Sequence, residues 1–323
     1  MKIFVTGGAG FIGSNYVRGL LQGRWGGDVD QLTVLDALTY AGNLQNLQPV
    51  SGDPRLRFIR GDICRPEDVM PALAGHSHVV HFAAESHVDR SIDSASVFMS
   101  TNVLGTQTML ECALAADVDT FVHVSTDEVY GSIEHGSWDE DCSLLPNSPY
   151  ASSKASSDLV ARAYWRTYGL DVRITRCSNN FGPYQYPEKV IPLFITNLID
   201  GQQVPLYGDG MNVRDWLHVD DHCRGIDMVL RKGRAGEIYN IGGGTELTNF
   251  QLTNLILETM GHGPEKIRPV EDRKGHDRRY SVNWGKIHRE LGYVPRESLV
   301  ASVNEVVDWY RANESWWRPL KAK

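Results

Sequence analysis

KIFVTGGAGFIG, residues 2–13, joins a short β-branched apolar run to a glycine-rich turn, and SNYVRGLL at 14–21 continues with the apolar spacing of an amphipathic helix. A strand, a tight turn and a helix in this order are typical of the first unit of a nucleotide-binding α/β fold. The glycines at 7, 10 and 13 leave room for backbone amides and the helix N-terminus to approach a pyrophosphate. The segment therefore predicts a dinucleotide site, with an ordinary glycine-rich turn as the alternative.

Five further apolar runs have the composition of strands: LTVLD at 32–36, RLRFIRGD at 55–62, HVVHFAA at 78–84, TFVHVST at 120–126 and VRITRCSN at 172–179. Helix-like segments lie between them: PEDVMPALA at 66–74, TNVLGTQTMLECALAA at 101–116, and 152–168. Because strands and helices alternate, we predict an α/β fold with a doubly wound (Rossmann) parallel sheet.

After residue 180 the alternation becomes irregular, and the loops are rich in Pro, Gly and aromatic residues. We predict an NAD-binding Rossmann domain over 1–180. The segment of about 212–240 is predicted to belong to this domain as well. A smaller, loop-rich C-terminal substrate domain accounts for most of 181–323. The three tryptophans of the terminal segment NEVVDWYRANESWWRPL are predicted to pack onto this smaller domain, with a partner-binding stripe as the alternative.

Composition excludes several classes of protein. The 323 residues are 41% apolar and carry a formal net charge of -8, which favours a soluble enzyme and argues against nucleic-acid binding. Neither a secretory signal nor a membrane-spanning run is evident, so we expect a cytoplasmic protein with no membrane contact. Five widely spaced cysteines without a CxxC pair predict neither a zinc site nor a disulfide framework, and no metal is expected.

Two strand ends carry carboxylates suited to a dinucleotide. Asp36 ends the second strand, where a carboxylate accepts hydrogen bonds from a ribose diol and repels a 2'-phosphate, so NAD is favoured over NADP. The alternative for Asp36 is a plain turn residue. Asp62 ends the third strand, and for it an adenine contact and a helix cap remain open.

The catalytic prediction begins with Tyr150 and Lys154 in YASSK, which share one helical face. Lys154 can lower the pKa of the phenol and orient a ribose, so that the phenol acts as a base toward a hydroxyl whose carbon loses hydride to NAD. Such a YxxxK pair is weak alone, but it follows a nucleotide turn and a strand ending in Ser125 and Thr126. Thr126 is placed to bond the reacting oxygen, although strand-end hydroxyls are also common caps.

Several longer strings extend this pattern from the first strand to the Trp-rich tail: TGGAGFIGSN, FAAESHVDRSI, STDEVYG, SNNFGPYQYPEK, RDWLHVDDHCRGI, YNIGGG and GHDRRY. Together they resemble the dTDP-glucose 4,6-dehydratase family of the extended short-chain dehydrogenase/reductases. Most of the strings also occur, in weaker form, in sugar epimerases and decarboxylases of that superfamily. The adjacent Asp127 and Glu128 are the residues that point to a dehydratase.

The resemblance implies that NAD oxidises C4 of dTDP-glucose, that water is lost across C5 and C6, and that the hydride returns to C6. A C4 ketone makes the C5 proton acidic, so a carboxylate can remove it while a neutral acid protonates the departing hydroxyl. Two adjacent carboxyl groups with different pKa values fit these roles, because each disfavours ionisation of the other. By resemblance Glu128 is the base at C5 and Asp127 the acid at C6. The alternative for this pair is a solvated loop dipeptide.

The resulting catalytic prediction is Thr126, Asp127, Glu128, Tyr150 and Lys154. The predicted NAD contacts are Gly7, Gly10, Phe11, Ile12, Gly13, Asp36, Leu38, Thr39, Asp62, Ile63, Ala83, Ala84, Thr101, Tyr150, Lys154 and Asn180. The resemblance implies the substrate contacts Ser86, Thr126, Asn179, Lys189, Val190, Pro205, Leu206, Tyr207, Arg214, Asn249, Arg273, His276 and Tyr280. Lys274 stands where the family more usually has Pro, which bears on the selectivity for the base.

Within the substrate set, Asn179 and Arg214 are assigned to the diphosphate and Ser86 to the sugar, again by resemblance. Lys189 and Val190 line the nucleotide site, and residues 205–207 with Asn249 surround the base and ribose. Any single Arg or Lys of this set has a surface solubilising role as its alternative. The resemblance also implies a homodimer formed through the helices that follow residues 100 and 150.

Two other functions remain open for this sequence. A sugar-nucleotide 4-epimerase would use the same Tyr150 and Lys154, and a non-catalytic NAD-sensing protein would keep the fold alone. His78, His81 and His123 need no functional role, because buried imidazoles satisfied by backbone groups are common.

Overall fold

The computed structural model describes residues 1–321 of the chain. Within this range the strands are β1 (Lys2–Thr6), β2 (Gln31–Asp36), β3 (Leu56–Arg60), β4 (His78–His81), β5 (Thr120–Thr126), β6 (Val172–Cys177), β7 (Asn179–Phe181), β8 (Val204–Tyr207), β9 (Val213–His218), β10 (Ile238–Ile241), β11 (Glu246–Thr248) and β12 (Ile267–Val270). The α-helices are α1 (Phe11–Leu21), α2 (Pro66–Leu73), α3 (Val88–Asp93), α4 (Ala95–Phe98), α5 (Thr106–Ala115), α6 (Pro149–Tyr168), α7 (Val190–Ile199), α8 (Val219–Lys232), α9 (Asn249–Thr259), α10 (Gly285–Leu291), α11 (Leu299–Ala312) and α12 (Glu314–Lys321).

A seven-stranded parallel sheet forms the centre of the molecule, in the order β10-β6-β5-β4-β1-β2-β3. Strand order reverses between β1 and β4, which is the point where open α/β sheets bind their ligands. The predicted doubly wound α/β fold is confirmed. Inside the part of the chain that the structure describes, no helix is both long and apolar enough to cross a membrane.

Helices cover both faces of this sheet. Alternate residues of each strand point to opposite sides, so each strand contributes to a core on either face. Ile3 and Val5 of β1 join a core with α1 and α8, whereas Phe4 joins the core under α2, α5 and α6. Burial on both faces explains why the strands read as continuous apolar runs rather than as alternating ones.

A second core lies outside the main sheet and is built from α7, α9, α11 and α12, with Trp316 and Trp317 among its buried residues. It adjoins a three-stranded sheet, β11-β9-β7, and a two-stranded sheet, β12-β8. The chain returns from this part to the main sheet, since α8 packs on α1 and β10 pairs with β6. The domain limits themselves stay a prediction.

Helix α6 starts earlier than the sequence pattern indicated. Ser148 caps it by accepting a hydrogen bond from the Ala151 amide at 3.1 Å, and Pro149 occupies the first turn, where no amide is needed. Gly169 ends it in the left-handed conformation. The capped start places Tyr150 in the first turn, at the edge of the sheet where the strands end.

The segment predicted as a helix over 101–116 belongs to a longer helical stretch. Helix α4 runs into a π-helical segment, Met99–Gly105, and then into α5. A π turn shifts the helix face by one residue, and such turns are frequent at functional sites. Here it directs Asn102 inward, so that this side chain is 1% exposed.

Candidate active site

One cleft of about 360 Å³ lies at the carboxyl ends of the parallel strands. It is lined by the glycine-rich turn, the ends of β2, β4 and β5, the start of α6, and the loop that follows β7. Parallel strands end at the same edge of a sheet, so motifs more than a hundred residues apart in the sequence meet there.

The glycine-rich turn has the geometry that a pyrophosphate site requires. Gly7 adopts φ +68°, and a Cβ there would lie 2.6 Å from the Ala83 amide nitrogen. A Cβ on Gly13 would lie 2.3 Å from the Gly7 carbonyl oxygen, so larger residues are excluded at both positions. Gly10 is the N-cap of α1 and offers no side chain to its first amides, which stay available to an anion. These residues fit the diphosphate of NAD.

Asp36 organises this turn from the end of β2. Its carboxylate accepts hydrogen bonds from the Ala9 amide at 2.9 Å and the Leu38 amide at 2.8 Å. Burial raises the pKa of Asp36, and the two amides oppose that shift. Each carboxylate oxygen keeps a second acceptor position, so the group is able to serve a ribose diol as well.

Asp62 accepts a hydrogen bond from the Cys64 amide at 2.9 Å and forms a local turn. The N-cap of α2 is Arg65, so Asp62 is not the cap of this helix. Its side chain lines the cleft next to Ile63, where the adenine contact stays a prediction. Of the predicted NAD contacts, all line the cleft except Leu38, whose amide donates to Asp36.

Tyr150 and Lys154 lie one turn apart on α6, and both are buried in the cleft. The Lys154 ammonium donates to the Val124 carbonyl oxygen at 2.9 Å, and burial lowers its pKa to about 8. Burial is also the largest cause that raises the pKa of Tyr150 well above its usual value, followed by the charge of Glu128. The lysine alone therefore does not make the phenol a base at neutral pH.

Asp127 and Glu128 begin a 3-10 turn directly after β5, and the Thr126 side chain caps this turn by accepting from the Glu128 amide at 3.3 Å. Thr126 also donates to Asp127 Oδ1 at 3.3 Å. Asp127 Oδ2 and Glu128 Oε2 are buried and find no hydrogen-bond partner among residues 1–321. Two buried carboxyl oxygens that face a cleft in this way are available to a substrate.

The two carboxyl groups differ in their surroundings. Burial, the Glu128 charge and the Asp215 charge together raise the pKa of Asp127 well above its usual range. Burial raises the pKa of Glu128 too, but the charges of Arg273 and Arg214 oppose it. A neutral Asp127 beside an ionisable Glu128 supplies one acid and one base within the same turn.

The charges of three cations lower the pKa of Glu128: Arg273, Arg214 and Lys189. Lys189 lines the cleft and donates to the Ser86 carbonyl oxygen at 3.0 Å. Arg214 is 5% exposed, donates to the Asp277 carbonyl oxygen at 2.9 Å and lies 4.3 Å over the Tyr280 ring. This group supplies the local positive charge that an acidic protein needs to bind a diphosphate.

The predicted substrate contacts divide into two groups. Ser86, Thr126, Asn179 and Lys189 line the cleft. The others lie beyond its lining: Val190 at the start of α7, Pro205, Leu206 and Tyr207 in β8, Asn249 at the start of α9, and Arg214, Arg273, His276 and Tyr280.

Part of this outer group forms a cluster of its own. Arg273 Nη1 lies 3.9 Å from Asp89, and the Tyr207 ring packs edge-on against His276, whose Nδ1 is 2.6 Å from Asp272 Oδ1. The binding roles of both groups stay predictions.

Asn102 was not predicted from the sequence. Its amide donates to the Ser153 hydroxyl at 2.8 Å and to the Glu85 carbonyl oxygen at 3.0 Å, and its Oδ1 accepts from the Glu85 amide at 2.8 Å. It thereby ties α6 to the segment after β4. No local pattern signals this role, because it depends on the π turn.

A buried polar network lies on the side of α6 that carries Asp158. Asp158, one turn after Lys154, accepts from Arg176 Nε at 2.9 Å, and its Oδ1 lies 3.3 Å from His123 Nε2. Arg176 also donates to the Tyr130 hydroxyl at 2.8 Å. Although burial acts in the opposite direction, the Arg176 charge and His123 hold the pKa of Asp158 at about 2.

The strand histidines are bonded mainly by side chains rather than by the backbone. His81 contacts the Thr6 hydroxyl at 2.7 Å and the Thr106 hydroxyl at 3.0 Å, and His123 contacts the Ser157 hydroxyl at 3.1 Å. Burial lowers the pKa of His123 to about 4. In α8, burial lowers the pKa of His222 to about 3, and its Nδ1 lies 2.9 Å from Asn180 Oδ1.

We expect acid to destabilise the protein through these histidines. Their pKa values are lower in the folded chain than the usual 6.5, so the unfolded chain binds protons first. The stabilisation is complete above about pH 6.5 and is lost as the pH falls toward 4 for His123 and 3 for His222. At pH 5 each residue costs about 2 kcal/mol of unfolding free energy, which urea titrations at pH 7.5 and pH 5 measure.

His222→Gln should reduce the difference between the two pH values by about 2 kcal/mol. The matched control is His135→Gln, because His135 is exposed. An unchanged pH dependence in His222→Gln would contradict the assignment.

The family model described as GDP-mannose 4,6 dehydratase matches residues 4–306 of the chain. A dTDP-glucose 4,6-dehydratase from Streptomyces antibioticus is 59% identical over 325 residues, which cover 100% of this chain and 96% of the relative.

Two solved structures share the fold over nearly the whole chain. DesIV, a dTDP-glucose 4,6-dehydratase from Streptomyces venezuelae solved with NAD and TYD bound, has a TM-score of 0.98 and 63% identity, covering 99% of this chain and 100% of that one. A UDP-glucuronic acid 4-epimerase from Bacillus cereus, in complex with UDP-glucuronic acid and NAD, has a TM-score of 0.90 and 27% identity, covering 97% and 99%. The fold is therefore common to both reactions, and the sequence is much more similar to the dehydratase.

Proposed function

The chain belongs to the dTDP-glucose 4,6-dehydratase family, and we propose that Asp127, Glu128 and Tyr150 carry out the dehydration of dTDP-glucose in the cleft described above. It is an NAD-dependent hydro-lyase, and its product is dTDP-4-keto-6-deoxy-glucose. NAD supplies the hydride acceptor for C4 and the hydride donor for C6, so no net oxidation occurs.

One observation carries the proposal. Asp127 and the half-buried Glu128 line the same cleft as Tyr150 and Lys154, and each keeps one buried carboxyl oxygen without a partner in the described chain. A simple dehydrogenase or a 4-epimerase needs the phenol and the lysine but has no use for an acid and a base side by side. The elimination of water needs both.

The residues act in two stages. Tyr150 takes the proton of the C4 hydroxyl, with Thr126 beside the phenol to hold the same oxygen. The charge of Lys154, together with that of an oxidised nicotinamide when NAD is bound, would lower the pKa of the phenol and favour its role as a base. Glu128 then removes the C5 proton that the C4 ketone has made acidic, and Asp127 donates its proton to the C6 hydroxyl as water leaves. C5 regains a proton when C6 takes up the hydride.

We assign the binding of the substrate's phosphate groups to three cationic side chains. Lys189, Arg214 and Arg273 are suited to the diphosphate of the substrate, and their charge also keeps Glu128 ionisable.

Incubation of the purified protein with dTDP-glucose and, separately, with UDP-glucose tests the proposal. We expect a 4-keto-6-deoxy sugar nucleotide from dTDP-glucose, identified by NMR and mass spectrometry. Inversion at C4 without loss of water would indicate a 4-epimerase. Binding of NAD with no turnover would indicate a binding protein.

The proposal includes a homodimer. Four non-aromatic apolar side chains are exposed on α6 and on the helical stretch from α4 to α5: Val97 at 47%, Met99 at 39%, Leu104 at 57% and Leu159 at 59%. These two stretches pack side by side, so the exposed residues belong to one face of the molecule. Covering them with the same face of a second copy buries apolar surface on both chains.

We expect Leu104→Glu combined with Leu159→Glu to convert the dimer to a monomer, because four charges would then meet in the apolar interface. Light scattering coupled to size-exclusion chromatography measures the mass. Leu145→Glu is the control, since Leu145 is 63% exposed but lies outside these helices. A mass unaffected by the double substitution would contradict this interface.

We also propose that the enzyme works in the cytoplasm. The five cysteines are all free thiols, which suits a reducing compartment.

A further inference from the structure

The last helix, α12, reaches from the second core to the cofactor end of the cleft. Trp316 and Leu320 line the same cleft as Gly7 and Asp36, although they follow these residues by about three hundred positions. We call Glu314–Lys321 the C-terminal strap.

A direct hydrogen bond joins the strap to the glycine-rich turn. Trp316 Nε1 donates to Asn46 Oδ1 at 2.9 Å, and Asn46 Nδ2 donates to the Ala9 carbonyl oxygen at 2.9 Å. Ala9 lies inside the turn, and its amide donates a hydrogen bond to the Asp36 carboxylate. Asn46 is 2% exposed, and its own carbonyl oxygen accepts from Arg18 at 2.6 Å.

The hydrogen bonds of Asn46 indicate a specific contact between the strap and the turn. Asn46 is buried, and its donor and its side-chain acceptor are used on opposite sides, one by the turn and one by the strap. Loss of either partner would leave a buried polar group unsatisfied. The position of the strap is therefore coupled, through Asn46, to the turn that receives the pyrophosphate.

The opposite side of the strap is anchored to the second core. Trp317 is fully buried, and its Nε1 donates to the Tyr310 carbonyl oxygen at 2.8 Å. Arg318 and Lys321 both pair with Asp200 at the end of α7, at 2.9 and 2.7 Å. Tyr186, itself in the cleft lining, donates to the Leu320 carbonyl oxygen at 3.3 Å.

We propose that the C-terminal strap retains NAD in the enzyme. Trp316 is the positioning residue that holds the strap against the cofactor end of the cleft. This inference rests on the proposed function, because it assumes that NAD is the resident cofactor of this cleft. A cofactor that is regenerated in every cycle has no need to leave. Its exchange requires that the Trp316–Asn46 bond open and that the strap move off the cleft.

The chain offers a matched pair of substitutions. Trp316→Phe and Trp317→Phe each remove one indole N–H from a buried hydrogen bond in the same helix. Only Trp316 bonds Asn46 and lines the cleft. The two variants should therefore lose similar stability in thermal unfolding, but differ in how fast they release NAD.

The test is an exchange experiment without sugar nucleotide. Each protein is loaded with radiolabelled NAD, chased with an excess of unlabelled NAD and sampled by rapid filtration. We expect the exchange rate of Trp316→Phe to rise about tenfold over wild type, because one buried hydrogen bond no longer opposes opening. Trp317→Phe should exchange within about twofold of wild type.

Leu320→Ala provides a second variant, should Trp316→Phe fold poorly. It removes cleft-facing surface without touching a side-chain hydrogen bond, and it too should exchange NAD faster than Trp317→Phe. Equal exchange rates in all folded variants and wild type would overturn the inference and leave the dehydratase function standing. A wild-type protein that holds no NAD at all would overturn both.

Discussion

Tyr150→Phe is expected to reduce turnover of dTDP-glucose by about a hundredfold or more, because the substitution removes the base that takes the C4 hydroxyl proton. Without that proton transfer the hydride does not leave C4, and the later steps have no substrate. The fold and NAD content should be unaffected, since a single oxygen is lost from a ring that is 9% exposed. Steady-state kinetics, bound NAD after acid release and the thermal midpoint are the three measurements.

Tyr168→Phe is the matched control, because Tyr168 lies on the same helix but is 57% exposed. It should behave as wild type in all three measurements. Near-normal turnover in Tyr150→Phe would remove the phenol from the base role. Equal losses in both variants would indicate damage to α6 rather than to the chemistry.

Asp127→Asn and Glu128→Gln are expected to stop the reaction after oxidation at C4. An amide at position 127 cannot protonate the leaving hydroxyl, and an amide at position 128 cannot take the C5 proton, so each variant should lose about a hundredfold or more in product formation. Reduced cofactor and a 4-keto-glucose nucleotide should accumulate on the enzyme. The absorbance of reduced nicotinamide after rapid mixing shows the first, and mass spectrometry of quenched samples shows the second.

The two variants should differ in the pH dependence of the oxidation step. The Glu128 charge raises the pKa of both Tyr150 and Asp127. Its removal in Glu128→Gln therefore lowers the pKa of the phenol, and oxidation at C4 should extend to lower pH than in Asp127→Asn. The Asp127 charge also raises the pKa of Tyr150, but less than the Glu128 charge does. Identical pH profiles would mean that Glu128 does not act on the phenol more strongly than Asp127.

Isotope transfer in the wild-type enzyme provides the control for this interpretation. Deuterium placed at C4 should reappear at C6 of the same sugar, while C5 takes hydrogen from the solvent. Deuterium lost to the medium would favour a simple dehydrogenase, and deuterium returned only to C4 would favour an epimerase.

Local sequence patterns were sufficient for the main sheet and for the motifs of the cofactor cleft. Strand and helix periodicity depends on neighbouring residues, so apolar runs such as 2–6 and 120–126 appear in the structure with the bounds that were read from the sequence. The limits of 78–84 and 172–179 were less accurate, because strand pairing stops at His81 and Cys177 and the residues that follow line the cleft.

The catalytic helix shows the same limit of local patterns. Its amphipathic face was evident, but its start was set by Ser148 and Pro149, whose capping geometry adds three residues before 152. Those residues include Tyr150, so the cap and not the apolar pattern determines where the phenol lies.

By itself the sequence determined that this protein has a Rossmann sheet, a glycine-rich dinucleotide turn and an adjacent acid and base beside a YxxxK pair, because each of these is written in short, contiguous segments. Only the tertiary structure decided that Asn102 ties α6 to the segment after β4, that the charges of three cations act on Glu128, and that Trp316 bonds Asn46. Those contacts join residues as far as 270 positions apart. Their energy depends on burial and on the packing of separate elements, which no local pattern of residues encodes.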